Sequence, residues 1–327
     1  MDIEEQIKNF KNMVNSYKLT YIIMTANNIG IFHCLGGKSK SLLQISKEVK
    51  IEKDRIEPIL NALVCNHIIS KNEEGYYLET YDAVLNQHSQ YNQLGYIAFA
   101  QTLVEKYRNL ESAVKDKDFA VNNFKELTQN NHVEFMKGME SNAIPQVEFL
   151  LSQYHFDNHK ILDIGAGSGI YLISVAKKYK TVKGKMIDLP KIVGMQKERI
   201  KKEGISDRIE AESCDYNIKF PKEKYDDIFL FAIAHQEPEE NLDKLLQNVY
   251  NHLNPDGRVF LTSFFLNENK TSPEFAVQFA VEMLINTNKG KVYTYNEIEN
   301  LIKRNNFKEI QKIDKLPGPA TLYVAKK

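Results

Sequence analysis

Between Lys160 and Ile170 the chain reads Lys-Ile-Leu-Asp-Ile-Gly-Ala-Gly-Ser-Gly-Ile, an apolar run that ends in an acid and opens at once into three glycines. Ile161, Leu162 and Ile164 suit a strand buried on both faces of a parallel sheet. Gly165, Gly167 and Gly169 permit positive φ and let the backbone approach a ligand closely. From Tyr171 to Tyr179 the spacing of Leu172, Ile173, Val175 and Ala176 predicts a helix, with Lys177 and Lys178 where a helix C-terminus favours cations. The stretch therefore predicts the first βα turn of a nucleotide-binding sheet. Its G-x-G-x-G spacing brings the last glycine one residue earlier than in the dinucleotide pattern G-x-G-x-x-G. Taken alone, the loop leaves several cofactors, and a purely structural turn, open.

Downstream of Lys160 apolar strands alternate with helical segments, as in a doubly wound parallel sheet. The predicted strands are 160–164, 183–188, 209–212, 227–232, 258–264 and 322–326, with a helix over 294–305. Upstream the periodicity is helical. One or two helices are expected over 3–31, then two short helices over 41–49 and 54–69, and a hairpin-like Gly75-Tyr-Tyr-Leu-Glu-Thr80. Together these resemble a winged helix. Further helices are expected over 91–121 and 124–153. The expected organisation is a winged-helix domain over 1–90, a helical bridge over 91–155 and an α/β domain over 156–327.

A winged helix invites a DNA-binding reading, but its second helix carries Lys53, Asp54, Arg55 and Glu57, whose charges cancel. Readers of DNA need a basic face. Across all 327 residues, 43 basic and 43 acidic side chains also balance, so no nucleic-acid or anionic-membrane partner is expected. Cys34, Cys65 and Cys214 are scattered and lack metal-ligand spacing, which disfavours a disulfide framework and a zinc site. With no leader-like or membrane-spanning apolar run, a cytoplasmic protein is expected.

In an open parallel sheet, ligands sit beyond the carboxyl ends of the strands, and four residues at such ends stand out. Asp163 is at the first turn. Asp188 ends the second strand about 20 residues after the loop, where an acid takes a ribose diol or, alternatively, caps the helix at Pro190. Asp215 follows the third strand, placed to meet an adenine amine or simply to stabilise a turn. His235 lies past the fourth strand and has the ionisation range of a general base, although a lone histidine is more often structural. No phosphate-binding lysine loop, G-x-S-x-G elbow or zinc signature occurs, so hydrolase, phosphoryl-transfer and metal chemistry lose their main support.

These residues resemble the class I S-adenosylmethionine-dependent methyltransferases, in particular small-molecule O-methyltransferases with an N-terminal winged-helix dimerisation domain. Leu162 to Gly169 is similar to that family's cofactor loop, Ile187-Asp-Leu-Pro190 to its second-strand motif, and Cys214-Asp-Tyr216 to the pair that frames adenine. The resemblance implies a Rossmann-like α/β fold and S-adenosylmethionine as cofactor. It implies Gly165 and Gly167 against the methionine moiety, Asp188 on the ribose and Asp215 on adenine, with Asp163, Leu189 and Tyr216 completing the cofactor set. His235 takes the place of the family's catalytic histidine, and Phe135, Met139, Phe279 and Met283 are the candidate substrate wall, although side chains such as Phe135 and Met139 are more often ordinary core. A homodimer formed through the N-terminal domain is implied as well.

The sequence departs from the family at Gln236, where aspartate is usual, at Ala143, where serine is frequent, and at Ser263 and Val292, where acids orient the histidine. Glu237, Glu268 and Glu282 are the acids left to replace them. The expected function is O-methylation of a small aromatic or hydroxylated metabolite. Methylation of nitrogen or carbon, or non-methylating chemistry on the same fold, is the alternative. A ligand-sensing DNA-binding regulator and a nicotinamide oxidoreductase rank below these.

Overall fold

The structure, a computed structural model, describes residues 1–116, 129–287 and 289–327. The chain forms two compact units, Met1–Leu103 with Lys137–Ser141, and Val104–Met136 with Asn142–Lys327. The segment 91–155, expected as a bridge, is thus divided between them.

In the first unit, helices Ile3–Asn15, Tyr17–Asn28 and Ile31–Leu35 precede helices Leu42–Val49 and Lys53–Cys65 and a two-stranded ribbon, β1 (Ser70–Lys71) with β2 (Tyr76–Tyr77). Ser41 and Gln44 form a reciprocal capping box that starts helix Leu42–Val49. The helix expected to reach Ile69 stops at Cys65, because Asn66 and the left-handed His67 (φ 57°) turn the chain into the ribbon. Gly75 (φ 141°) makes the ribbon possible, since a Cβ there would lie 2.1 Å from the Lys40 carbonyl oxygen. Phe32, Leu35, Ile45, Ile56, Leu60, Leu63 and Tyr76 fill this core. The helix expected over 91–121 is broken at Arg108-Asn109 into Leu94–Tyr107 and Leu110–Lys115, its end lying outside the described residues. The next helix is observed over Gln129–Gln153, with 124–128 likewise outside.

The second unit holds a seven-stranded sheet of β3 (Lys160–Ile164), β4 (Lys183–Asp188), β5 (Ile209–Ser213), β6 (Tyr225–Phe231), β7 (Leu253–Ser263), β8 (Lys308–Ile313) and β9 (Thr321–Lys326). Its order is β5-β4-β3-β6-β7-β9-β8. The first five strands in that order are parallel, as the alternating pattern predicts, while β9 pairs antiparallel with both β7 and β8. β8 escapes sequence reading because it is an edge strand with no buried residue, so it lacks the apolar pattern that marks a strand. Along β3, β6 and β7 successive side chains enter opposite cores. Leu162, Ile228, Leu230, Val259 and Leu261 face one side, and Ile161, Phe229 and Phe260 the other.

A charged cluster ties the strands at the end remote from the glycine loop. Asp227 of β6 is wholly buried and accepts from Arg258 of β7 at 2.7 and 3.2 Å, and its Oδ2 lies 2.5 Å from His159 Nδ1. The Asp227 hydrogen bond holds the His159 imidazole above the ordinary histidine range. Folding therefore favours the protonated ring. That stabilisation is complete below about pH 6.5, the unfolded value, and is lost as pH rises through the higher folded value. In thermal unfolding between pH 6 and pH 9, the advantage of the parent protein over His159→Gln is expected to shrink as pH rises. An advantage that grows with pH contradicts the assignment.

Candidate functional site

The glycine loop leaves β3 in a left-handed conformation at Gly165 (φ 62°) and Gly167 (φ 56°). The Gly165 N–H donates to the Ile187 carbonyl at 2.8 Å, and a Cβ on Gly165 would lie 2.3 Å from Ile233 Cδ1. Glycine here lets the loop settle between the ends of β4 and β6. Those strands flank β3, and the gap between β3 and β6 is where strand order reverses, since β4 and β5 run to one side and β6 and β7 to the other. Such a switch point opens a crevice at the carboxyl ends.

Asp188 closes β4, and its carboxylate organises the loop. Oδ2 accepts the Gly167 N–H at 2.8 Å and Oδ1 the Leu189 N–H at 2.7 Å. A carboxylate has about four acceptor sites, so two remain. Burial nevertheless pushes the Asp188 carboxyl up to about 6. Asp163, in β3, is 1 % exposed, and its Oδ2 meets no hydrogen-bond partner among the described residues. Burial first, and the neighbouring Asp188 second, push its carboxyl up to about 8. Two desolvated acids with spare acceptor capacity form a site that favours donors or positive charge.

The Cys214 N–H donates to the Asp188 carbonyl at 2.9 Å, which ties the Cys214-Asp-Tyr216 turn to the same strand end. Asp215 is half-buried and its Oδ1 accepts from the Asn217 N–H at 3.0 Å, so it stabilises its own turn. The Tyr216 hydroxyl donates to Glu237 at 2.8 Å. Gln196 adds a contact that sequence reading missed. Its amide donates to the Gly167 carbonyl at 2.9 Å while its Oε1 stays unpartnered among the described residues. Its only sequence signal is a neutral amide among the charges of helix Pro190–Lys202.

Past β6, Ala232 adopts φ 58° and the chain enters a 3-10 turn, Ala234–Gln236, that buries His235. His235 Nδ1 lies 3.0 Å from Ser263 Oγ at the end of β7. The ring stacks on Phe264 at 6.0 Å and meets the edge of Phe279 at 4.8 Å. Burial pushes the imidazole down to about 4, so it is neutral near pH 7. None of the acids expected to replace the absent partners bonds to it. Glu237 accepts from Tyr216, Asn217 and Asn241, and Glu268 accepts from Thr294 and Asn296. Glu282, pushed up to about 7 by burial, is offset by Lys106. Ser263 occupies the contact instead.

Of the proposed substrate wall, Phe279 touches His235, and Met283 is buried in the apolar cluster to which Phe279 belongs. Met139 is half-buried and belongs to the first compact unit. The Phe135 side chain lies outside the described residues.

Residues 98–308 match the model of the O-methyltransferase domain family. The S-adenosyl-L-methionine-dependent methyl transferase PigF of Serratia sp. (strain ATCC 39006) is 28% identical over 196 residues, 59% of this chain and 56% of PigF. The chain spans about half the length of the first curated relatives it matches. Among solved structures, a putative O-methyltransferase from Nostoc punctiforme PCC 73102 superposes with a TM-score of 0.87 at 22% identity, covering 98% of each chain. Human N-acetylserotonin methyltransferase in complex with SAM gives 0.87 at 18% identity, over 100% of this chain and 98% of that one. At these identities the superpositions show a shared fold.

The packing of Gly165 against Ile233 generates a direct test. Gly165→Ala is expected to cost about 1–2 kcal/mol for the left-handed backbone, plus the overlap with Ile233 Cδ1. Ile233→Val removes that methyl. In urea denaturation the double variant should lose less stability than the two single variants summed, whereas strict additivity would show that the side chains do not meet.

Proposed function

The chain belongs to the O-methyltransferase domain family, and on that footing we propose that it transfers a methyl group from S-adenosylmethionine to a hydroxyl of a small aromatic metabolite. One observation carries the reading. The glycine loop and two buried acids, Asp163 with one oxygen unpartnered among the described residues and Asp188 bonded to the loop, lie at the ends of β3 and β4, and a buried histidine follows the adjacent β6.

The residues present fit the cofactor. The free acceptor sites of Asp188 suit a ribose diol, and Asp163 and Asp188 together favour a cationic ligand. Gly165 and Gly167 leave the loop backbone open to the methionine portion. Asp215, Tyr216 and Leu189 border the adenosine, with Asp215 held by its own turn. Bound S-adenosylmethionine supplies an electrophilic methyl on a sulfonium, so transfer to oxygen forms an O–C bond and breaks an S–C bond. The protein's part is to bind, orient and manage the hydroxyl proton.

His235 is the group assigned to the reacting oxygen. Its Nδ1 is engaged by Ser263, which leaves Nε2 to take the proton or to steady the oxyanion. Phe279 and Met283 border the substrate, and Phe135 and Met139 remain proposed members of that wall. Methylation of nitrogen or carbon is the second reading, favoured by the serine that stands where a carboxylate would orient a base. The position of the methyl group in the product separates the two.

The N-terminal region over 1–90 is proposed to form a homodimer, with 91–155 as bridge and 156–327 as catalytic region in the proposed domain organisation. Helix Ile3–Asn15 buries none of its residues, while Ile3, Ile7, Phe10, Met13 and Val14 are exposed. Covering these side chains with a second copy would recover their transfer free energy. No described helix is long and apolar enough to cross a membrane. The proposed compartment is the cytoplasm, which suits three free cysteines.

With an accepted phenol, His235→Ala is expected to lower kcat by about 10–10², as loss of a hydrogen bond to a charged oxygen requires, while S-adenosylmethionine affinity stays within about twofold. Unchanged turnover removes the assignment. Asp188→Ala should weaken S-adenosylmethionine binding in calorimetry at least about tenfold, as loss of charged hydrogen bonds requires. Sedimentation of the Phe10→Glu, Met13→Glu double variant should show monomer where the parent protein is a dimer, and a parent that sediments as monomer refutes the dimer.

A further inference from the structure

The surroundings of His235 constrain the acidity of the hydroxyl that this site can use. Around the ring lie Ser263 Oγ at Nδ1, the face of Phe264 and the edge of Phe279. Val292, the second position where the family carries an acid, is buried in an apolar cluster with Leu266, Ala276 and Met283, against which Phe264 and Phe279 pack. The Lys291 N–H donates to the His235 carbonyl, but its ammonium pairs with Glu297 at 2.9 Å. Glu237, Glu268 and Glu282 are engaged as described above. Among the described residues burial alone therefore acts on the imidazole, and it disfavours the charged form.

A carboxylate at Nδ1 would fix the tautomer and balance an imidazolium. Serine does neither, because its hydroxyl donates or accepts equally well and carries no charge. An imidazolium in this apolar setting would stand uncompensated. Abstraction of the proton of an ordinary phenol, with a pKa of about 10, is strongly uphill here.

We propose, resting on the methyl-transfer reading above, that the hydroxyl methylated at this site is an acidic one, a phenol or enol conjugated to an electron-withdrawing group, which binds as its anion. Its proton passes to solvent water before binding. The oxyanion then forms the O–C bond as the S–C bond breaks, and its negative charge cancels the sulfonium charge with no proton left on the enzyme. Neutral His235 is a positioning group. In the tautomer where Ser263 donates to Nδ1, the Nε2–H is left to donate to the oxyanion.

Initial rates with labelled S-adenosylmethionine and phenols of similar bulk, from 4-methylphenol through 4-cyanophenol to 4-nitrophenol, test this, their pKa values running from about 10 to about 7. At pH 7 the rate should rise at least tenfold across the series, and each pH profile should rise through that phenol's own pKa. Equal rates, or one breakpoint shared by all three, overturn the inference while methyl transfer stands. Failure to bind S-adenosylmethionine in calorimetry overturns the function itself. A readout independent of turnover is the NMR titration of 13C-labelled histidine, with the His235 signal assigned by His235→Gln. The ring should stay neutral to below pH 5, and protonation near pH 6.5 overturns the inference. Ser263→Asp should raise the imidazole pKa and flatten the dependence on phenol acidity.

Discussion

The hydrogen bond from the Gly167 N–H to Asp188 joins two elements that the chain separates by 21 residues, the loop after β3 and the end of β4. The left-handed glycines of this loop have no side chains with which to hold its shape, so its conformation is imposed largely from outside. Asp188 imposes it, Gln196 supports it through the Gly167 carbonyl, and Ile233 confines it from β6. The same carboxylate keeps acceptor sites for a ligand. Loop geometry thus depends on one buried side chain, which on the proposed reading would also meet the ligand.

The acid pair and the histidine occupy contrasting environments at the ends of neighbouring strands. Asp163 and Asp188 are desolvated together, so a cationic ligand with hydroxyl donors relieves an existing electrostatic cost. His235 is desolvated among aromatic rings with a neutral serine partner, and no acid among the described residues bonds to it. Positive charge is favoured beside the acid pair and disfavoured at His235. That asymmetry matches a reaction in which a sulfonium and an oxyanion neutralise each other.

Much of this was legible before any coordinates. The central strands β3, β6 and β7 announce themselves because burial on both faces demands short apolar runs, and the glycine spacing marks the turn because only glycine adopts its φ freely. β8 was not legible, since an exposed edge strand carries no apolar signature. Helix Lys53–Cys65 ends earlier than its apolar periodicity predicts because the exposed His67 takes a left-handed φ, a backbone choice that apolar spacing does not register. Gln196 was invisible for a related reason. A glutamine on a charged helix looks solvated until the fold turns it onto the loop.

From sequence alone come the α/β class, the glycine loop and the positions of Asp163, Asp188, Asp215 and His235 at strand ends, because strand periodicity and strand-to-loop transitions are local properties of the chain. The sequence also exposes the absence of carboxylates at Ser263 and Val292. Only the tertiary structure decides what replaces them, since the partner of His235 comes from a strand 28 residues away and its aromatic walls from Phe264 and Phe279. Protonation is decided at the same level. Whether an acid is raised or a histidine lowered depends on which distant groups exclude water from it, and that is settled by packing.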